Sequence, residues 1–291
     1  IEPLRSDMFV FGAGSTRLTI NGLSKNGSAR LITTLRKINI TSKAKENRRS
    51  SSLIISNSAN SSSGIGTTTL NDGLSYGDFP YGTRVQDEEI CLNVPDVINV
   101  YGIFESFDLS DPSSPKLFLS TLTGPNATTI DVIVGETIKG ASSGARATYV
   151  ERTDDNVVEF IYSNKKSFTV GEKVTFDESG IEAIVSAVSV NGRDITSSYI
   201  LDNGQRDTFY DYGRLKRVAS KSSPSKKIKV YFQSGFYNTN DDGDITTANS
   251  YNSFDYSKEI ESYRNIRNTD VIDIRPRVST YIATSGSVSP F

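Results

Sequence analysis

The sequence predicts an all-β protein made of several β-sandwich or barrel modules, with a small pseudo-repeated β module inserted among them. Helical periodicity is nearly absent, and apolar residues come in short alternating or continuous runs bounded by Gly, Asn, Asp, Ser and Pro. The aromatic residues are 14 Tyr and 14 Phe without any Trp, while hydrophobic residues make up only 36% of the chain. This mixture is typical of many short strands that are joined by polar loops.

Eight runs along the chain carry the strand pattern. In chain order they are Met8–Phe11, Arg17–Ile20, Val97–Phe104, Ile130–Val134, Val157–Tyr162, Ile184–Val190, Ile228–Phe232 and Val271–Ile274. Glycine supplies the positive φ that a two-residue hairpin turn needs, and this predicts turns at Asn21-Gly22, Asn26-Gly27 and Asn191-Gly192. The stretch 48–66 is rich in Ser and Asn, which indicates an exposed loop or a long β-arm.

One internal repeat is clear. Residues 134–147 return as residues 170–183, at a constant offset of 36. In each copy a Val-Gly-Glu turn leads into a strand, and a Ser-Gly turn reverses the chain into the next strand. Two copies are too few for a solenoid, so the repeat predicts a small pseudo-symmetric barrel or sandwich.

The repeated unit interrupts a larger domain. The strand predicted at Val97–Phe104 has no obvious partner until after residue 190, so the unit between them is interpreted as an insertion. We therefore expect three regions: a β-rich N-terminal region over 1–94, a sandwich-like host domain over 95–128 plus 191–291, and the inserted module over 129–190. Because the chain begins at Ile1 rather than Met, we expect a section or processed product of a longer protein.

Composition argues against several classes of function. The chain has no His, which removes the commonest general base and zinc ligand, and its single Cys91 permits no intrachain disulfide. Its 32 basic and 34 acidic residues give a net charge of −2, and no apolar run has the length of a membrane helix. We expect no catalytic residues, no cofactor, no metal, no nucleic-acid partner and no membrane insertion, and we expect that the protein is not an enzyme. Cys91 is expected to be a small, half-buried hydrophobe.

One loop raises the question of a calcium site. Asn238–Asp244 resembles the start of a Ca²⁺-binding loop, with oxygen-bearing side chains before Gly243. The twelfth position is Asn249 instead of the bidentate Glu, so an acidic surface turn is the favoured interpretation. Whether the Asp-rich stretch 240–244 binds calcium stays open at this point.

A charged block near the C-terminal third is the most distinctive feature. Leu201–Arg217 alternates carboxylates, guanidiniums and aromatics around two glycines, and it predicts a bidentate Arg–carboxylate pair at the edge of the core. A later segment, Asp270–Arg277, is hypothesised to meet this block across neighbouring strands. The residues of this predicted structural motif, which is not a ligand site, are Asp202, Gly204, Arg206, Asp207, Asp211, Gly213, Arg214, Asp270, Asp273 and Arg275.

Several segments, in this order, resemble large virion structural proteins of contractile-tailed phages, especially those that infect marine cyanobacteria. The resemblance spans roughly Val94–Val278, with weaker likeness at Asp7–Asn21. The segments that carry it are Pro95–Glu105, the Gly-Glu…Ser-Gly-Ala repeats, Leu201–Leu215, Lys229–Phe232, Asn249–Tyr251 and Asp270–Arg277. The acidic loop Asn240–Ala248 departs from the pattern that we expect of such proteins.

The resemblance implies a structural role in the virion. It implies a component of the tail, baseplate or proximal tail fibre that is made in the host cytoplasm and acts in assembly and host attachment. Other tail or baseplate proteins would be its partners, together with further copies of the chain, a trimer being favoured, and a glycan or protein of the host surface. Two alternatives stay open: a receptor- or carbohydrate-binding module, with 129–190 as the binder, and a polysaccharide depolymerase.

Overall fold

The structure is a computed structural model of the 291-residue chain. It describes residues 4–12, 17–24, 39, 41–56, 74–75, 79–82, 84–125, 127–129, 131–206, 211–237, 246–247, 250, 272–273, 280–282 and 287–289. The chain divides into two compact units, Ile1–Asn39 and Ile40–Phe291. The described residues are largely β-strand and are organised in several sheets and a barrel, so the predicted all-β, multi-domain class is confirmed.

The first unit contains a small antiparallel ribbon. A 3-10 turn at Ser6–Met8 leads into β1 (Phe9–Phe11), which pairs with β2 (Leu18–Ile20) in the register Phe9↔Ile20. Both strands lie within the runs predicted at Met8–Phe11 and Arg17–Ile20, of which the first is a continuous apolar run and the second alternates.

The second unit begins with the strands of two sheets. They are β3 (Lys45–Ile55), β4 (Leu74–Ser75), β5 (Phe79–Gly82), β6 (Glu89–Pro95) and β7 (Val97–Glu105). The next strands form the barrel and are β8 (Lys116–Thr123), β9 (Thr137–Gly140), β10 (Arg146–Asp154), β11 (Val157–Tyr162), β12 (Lys173–Phe176) and β13 (Glu182–Ser189). Then come β14 (Arg193–Asp194), a 3-10 turn at Thr196–Ser198, β15 (Tyr199–Asp202), β16 (Tyr212–Arg217) and β17 (Ile228–Tyr237). Short strands follow: β18 (Thr246–Thr247), β19 (Ile272–Asp273), β20 (Thr280–Ile282) and β21 (Ser287–Ser289).

Two sheets form the host body around one apolar core. One sheet has the order β14-β7-β17-β3 and the other β15-β16-β6-β5-β4, while β18-β19 and β20-β21 are separate two-stranded ribbons. Buried side chains from both main sheets make the core, and they include Ile90, Leu92, Ile103, Leu215 and Val230. The host body is therefore built from two sheets that share one apolar core.

Strand β7 finds its partners where the sequence predicted them, after residue 190. It pairs on one side with β14, in the register Arg193↔Glu105, and on the other with β17, in the register Ile228↔Glu105. All six barrel strands lie in sequence between β7 and β14. The barrel is therefore inserted between two strands that are neighbours in one sheet.

The inserted unit is a closed, antiparallel, six-stranded barrel. Its strand order is β10-β11-β8-β13-β12-β9, and β9 pairs with β10 to close it. Its core is separate from that of the host, and its aromatic members include Tyr149, Phe160 and Phe176. The repeats meet across β9 and β12. Lys139 pairs there with its own equivalent, Thr175, while Ile138 pairs with Phe176 and Gly140 with Val174, so the pairing is symmetric about the Lys139–Thr175 pair.

The observed strand pairing does not follow the region limits that were expected from the sequence. Strands β3 and β6 fall in the segment 1–94 that was expected to be separate, yet they pair with β17 and β16 of the host. The barrel starts at Lys116, whereas 129 was expected, because β8 completes it beside β11 and β13. Whether the three segments fold as separate domains stays a prediction.

Two local predictions were wrong. Residues 131–134, within the strand expected at Ile130–Val134, are not a strand. The chain bends there and turns at Ile133, whose carbonyl accepts the Glu136 N–H at 3.0 Å and whose N–H donates to Glu136 Oε1 at 2.7 Å. Asn191-Gly192 is not a hairpin turn, since it connects the barrel strand β13 to β14 of the host sheet. In the stretch 48–66, residues up to Ile55 belong to the long strand β3, and residues 57–66 lie outside the described part of the chain.

Candidate functional site

The charged block forms a hairpin of β15 and β16. Asp202 pairs across the hairpin with Arg214, which places a carboxylate opposite a guanidinium. Between the strands, Gly204 has φ +82°, and its carbonyl accepts the N–H of Asp211 at 2.7 Å. A Cβ at Gly204 would lie 2.1 Å from the carbonyl oxygen of Asp211, so only glycine fits this turn.

Asp202 is the centre of the cluster. It accepts two parallel hydrogen bonds from Arg206, each 2.9 Å long, and this is the bidentate pair expected from the sequence. Arg214 Nη2 donates to the same carboxylate at 2.9 Å, and Lys216 Nζ lies 3.2 Å away. Burial alone would raise the pKa of Asp202, but hydrogen bonds from Arg206, the Gly204 N–H and Lys216 outweigh it and hold the pKa well below its usual range.

The remaining members extend this network into the core edge. Arg214 Nη1 donates to Glu89 Oε2 at 2.7 Å, and Asp211 Oδ2 lies 3.9 Å from Arg214 and 4.0 Å from Arg206. Gly213 lies against β7, where a Cβ would come within 2.3 Å of Val97. Charges of both signs thus neutralise one another, and the cluster joins neighbouring strands. That this block is a structural motif and not a ligand site stays a prediction.

The block also contacts the corner between β6 and β7. Asp96 adopts φ +61° at this corner and forms a fully buried ion pair with Lys45 at the start of β3. Gln205 Nε2 donates to Asp96 Oδ1 at 3.3 Å. Cys91, on β6 nearby, is 2% exposed, so it is a fully buried core residue where a half-buried one was expected, and burial raises the pKa of its thiol to about 12.

Some predicted members cannot be placed beside the block. Asp207, Asp270 and Arg275 lie outside the described residues, and Asp273 is described only as a strand residue of β19 whose backbone pairs with Thr246. The hypothesis that this C-terminal segment meets the block stays a prediction. The calcium question at 240–244 also falls on residues outside the described part.

A second cluster, which the sequence analysis missed, joins the barrel to the host sheet; we call it the junction. Lys229 of β17 lies 3.2 Å from Glu159 of β11 and 2.9 Å from Glu151 of β10. The hydroxyl of Tyr231 donates to Glu159 and accepts the backbone N–H of Ser114 at 2.9 Å. Burial, followed by the adjacent Glu159 charge, raises the pKa of Tyr231 far above its usual range.

An apolar contact surrounds these junction charges. Phe104 and Tyr231 of the host pack with Val150 of the barrel, and the two rings meet edge to face with centroids 5.9 Å apart. Gly102 makes the close approach possible, since a Cβ there would lie 3.0 Å from Ile161 of β11. The sequence carried a signal for the junction, because Glu159 and Lys229 each interrupt an apolar strand with a charge.

A third contact holds the barrel to strand β3. Arg49 makes a bidentate pair with Glu178, with distances of 2.7 Å and 2.6 Å. The same side chain lies over the repeat turn at Gly135, where a Cβ would come within 2.8 Å of Arg49 Cβ. The barrel therefore contacts both the middle and the edge strand of the host sheet.

Inside the barrel, the Glu of each repeat accepts hydrogen bonds from the turn of the other repeat. Glu136 Oε2 accepts the backbone N–H groups of Glu178 and Ser179 at 2.7 and 2.9 Å. At the equivalent place, Glu172 Oε2 accepts those of Ser142 and Ser143 at 3.1 and 3.0 Å. The Val-Gly-Glu motif is thus a reciprocal clasp between the two copies, which explains why Glu recurs at that position.

Glu172 also shows the electrostatic consequence of this clasp. Burial would raise its pKa, but the N–H groups of Ser143 and Thr169 and the hydroxyls of Ser143 and Ser142 outweigh burial and lower it to about 2. Glu172 therefore stays ionised at any pH near neutrality.

Neither family models, curated proteins nor solved structures match this chain. In the part of the chain that the structure describes, no group of three or more Cys, Asp or Glu side chains is arranged to hold a metal ion. None of the helices described there has the length and apolar character to cross a membrane.

Proposed function

We propose that this chain is a structural section of a contractile-tailed phage virion, from the tail, baseplate or proximal tail fibre. Its work is to join tail parts and to hold modules against neighbouring subunits or the host surface. The order of segments that resembles such proteins supports this proposal. Those segments correspond to β7, the barrel, the β15–β16 hairpin and β17, and together they form one connected body.

The observation that carries the proposal is the junction. A module that searches for a receptor on a flexible tether needs little contact with its carrier. Here the barrel is tied to the host by a buried Lys–Glu pair, an aromatic contact and the Arg49–Glu178 pair. Separating the two bodies would leave Lys229 and Glu159 without their mutual partners, which is costly for buried charges. These contacts support a barrel that is held in one orientation on its carrier, as a scaffold role requires.

The first test is the native mass and shape of the purified chain. Light scattering on a sizing column, with negative-stain images of the peak, should show an elongated trimer or another closed oligomer. A compact monomer at every concentration tested would contradict the scaffold role. A matched control replaces the barrel, residues 116–189, by a short Gly-Ser linker, since Lys116 and Ser189 are paired neighbours. Loss of the oligomer in this variant would assign subunit contacts to the barrel.

The same preparations separate the alternatives. A receptor- or carbohydrate-binding module would retain host cells or glycans, and would lose them when the barrel is replaced. A depolymerase would release reducing ends from host polysaccharide, and a single carboxylate substitution would abolish that release. An oligomer with neither property supports the scaffold.

A further inference from the structure

A polar cavity lies on the host body, apart from both the barrel junction and the charged block. Its volume is about 280 Å³, and it opens where β7 ends beside β14, facing the loop of residues 221–224. Most of its lining residues are serine or charged, so it differs from the mostly apolar pockets that bind drug-like molecules.

Hydrogen bonds within the protein hold two of the acidic lining residues of the cavity in place. Glu105, at its base, is 2% exposed and accepts hydrogen bonds from Arg193 and from the backbone N–H groups of Ser225 and Lys226, the latter two at 2.8 and 3.2 Å. Asp194 Oδ1 accepts the N–H and hydroxyl of Thr196 at 2.8 and 2.6 Å. Both walls are therefore ordered without a ligand, which lowers the entropic cost of binding.

Beside these paired groups, the cavity is lined by exposed polar side chains. Among the residues that the structure describes, the Lys221 ammonium has no ion-pair partner, and Asp194 Oδ2 accepts no hydrogen bond. Four serine hydroxyls complete the lining without a side-chain hydrogen bond to the described residues, and they are Ser197, Ser198, Ser222 and Ser223. A serine hydroxyl both donates and accepts, while Lys only donates and a carboxylate only accepts.

The charges of the lining cancel. Arg193 and Lys221 balance Glu105 and Asp194, so the cavity has no net charge that would select a simple anion or cation. Its chemistry matches a ligand that offers many donors and acceptors at once. We propose that this cavity binds a small polyhydroxylated molecule of the size of one monosaccharide unit, with Asp194 and Lys221 as its charged contacts. The site is independent of the scaffold role and lies outside the module 129–190.

The test is saturation-transfer NMR and titration on the full 291-residue chain. The probes are glucose, galactose, mannose, N-acetylglucosamine and glucuronate, with inorganic phosphate as a probe for plain anion binding. At least one sugar should bind, with a dissociation constant in the millimolar range. Asp194→Asn and Lys221→Gln should each weaken it about tenfold, since each loses a hydrogen bond to a charged group.

Matched controls separate the site from general surface effects. Asp154→Asn changes an exposed Asp whose Oδ1 also accepts a backbone N–H in a turn, and Lys165→Gln changes an exposed Lys outside the cavity. Both controls should bind the sugar as the unaltered chain does. The proposal is overturned if no sugar in the panel binds, if phosphate alone binds, or if sugar binding survives both cavity substitutions unchanged.

Discussion

Replacing Lys229 by Met removes the cation at the centre of the junction while keeping most of the side-chain volume. The Lys229 side chain is 9% exposed and that of Glu159 is 4% exposed, with 3.2 Å between the charged atoms. After the substitution, Glu159 keeps the Tyr231 hydroxyl and Lys116, whose ammonium is 3.6 Å away. A buried carboxylate is then left with a weaker set of partners than it has now.

The expected cost follows from that geometry. Breaking a buried ion pair by removing one partner costs about 3–5 kcal/mol, and the contacts that Glu159 retains place this case near the lower limit. For a unit of this size, about 3 kcal/mol corresponds to a fall in Tm of roughly 6–12 °C. The double variant Lys229→Met with Glu159→Gln should recover part of that loss, because it removes both charges and keeps an acceptor for Tyr231.

Calorimetry of the full chain measures the effect, with Lys173→Met as its control. Lys173 lies 2.6 Å from Glu182, a shorter pair than the one at the junction, but its side chain is 50% exposed. Water screens that pair, so its loss should cost no more than about 1 kcal/mol. If Tm falls by the same amount in Lys229→Met and Lys173→Met, the buried ion pair does not hold the barrel to the host, and the reasoning behind the proposed function is refuted.

Two further predictions concern the turns and the clasp. In urea unfolding, Gly204→Ala should lower the free energy of unfolding several times more than Gly171→Ala. Both glycines have positive φ, so both substitutions are strained. Only the alanine at 204 would also place its Cβ against backbone atoms, since nothing lies within 4 Å of a Cβ at 171. Equal losses would show that the Gly204 turn relaxes. Glu172 has a folded pKa of about 2 against an ordinary 4.5, so its contribution to stability is complete above pH 4.5 and is lost as the pH falls towards 2. Glu172→Gln should therefore lower Tm near pH 7 and converge on the unaltered chain near pH 2, and a pH-independent difference would contradict the clasp.

Parts of the candidate site could be predicted from the sequence because they are local. Asp202 and Arg206 are four residues apart with a turn between them, and that spacing favoured the bidentate pair that the structure shows. The repeat of 36 residues likewise predicted a pseudo-symmetric unit. The junction was not predicted because Glu159 and Lys229 are 70 residues apart. Each charge shows that a polar group interrupts an apolar strand, but the sequence does not show which distant residue pairs with it.

The all-β class, the repeated hairpins and the late partner of β7 were determined by the sequence alone, since alternation and turn chemistry act over a few residues. The limits of the regions were decided only by tertiary structure. Strand β3 reads as a Ser-rich, charged segment, and it becomes the edge of the host sheet because Lys45 pairs with Tyr237 and Ile55 with Ile228, far along the chain. The reciprocal placement of Glu136 and Glu172 is decided in the same way, because a buried carboxylate must find its donors wherever the closed barrel brings them.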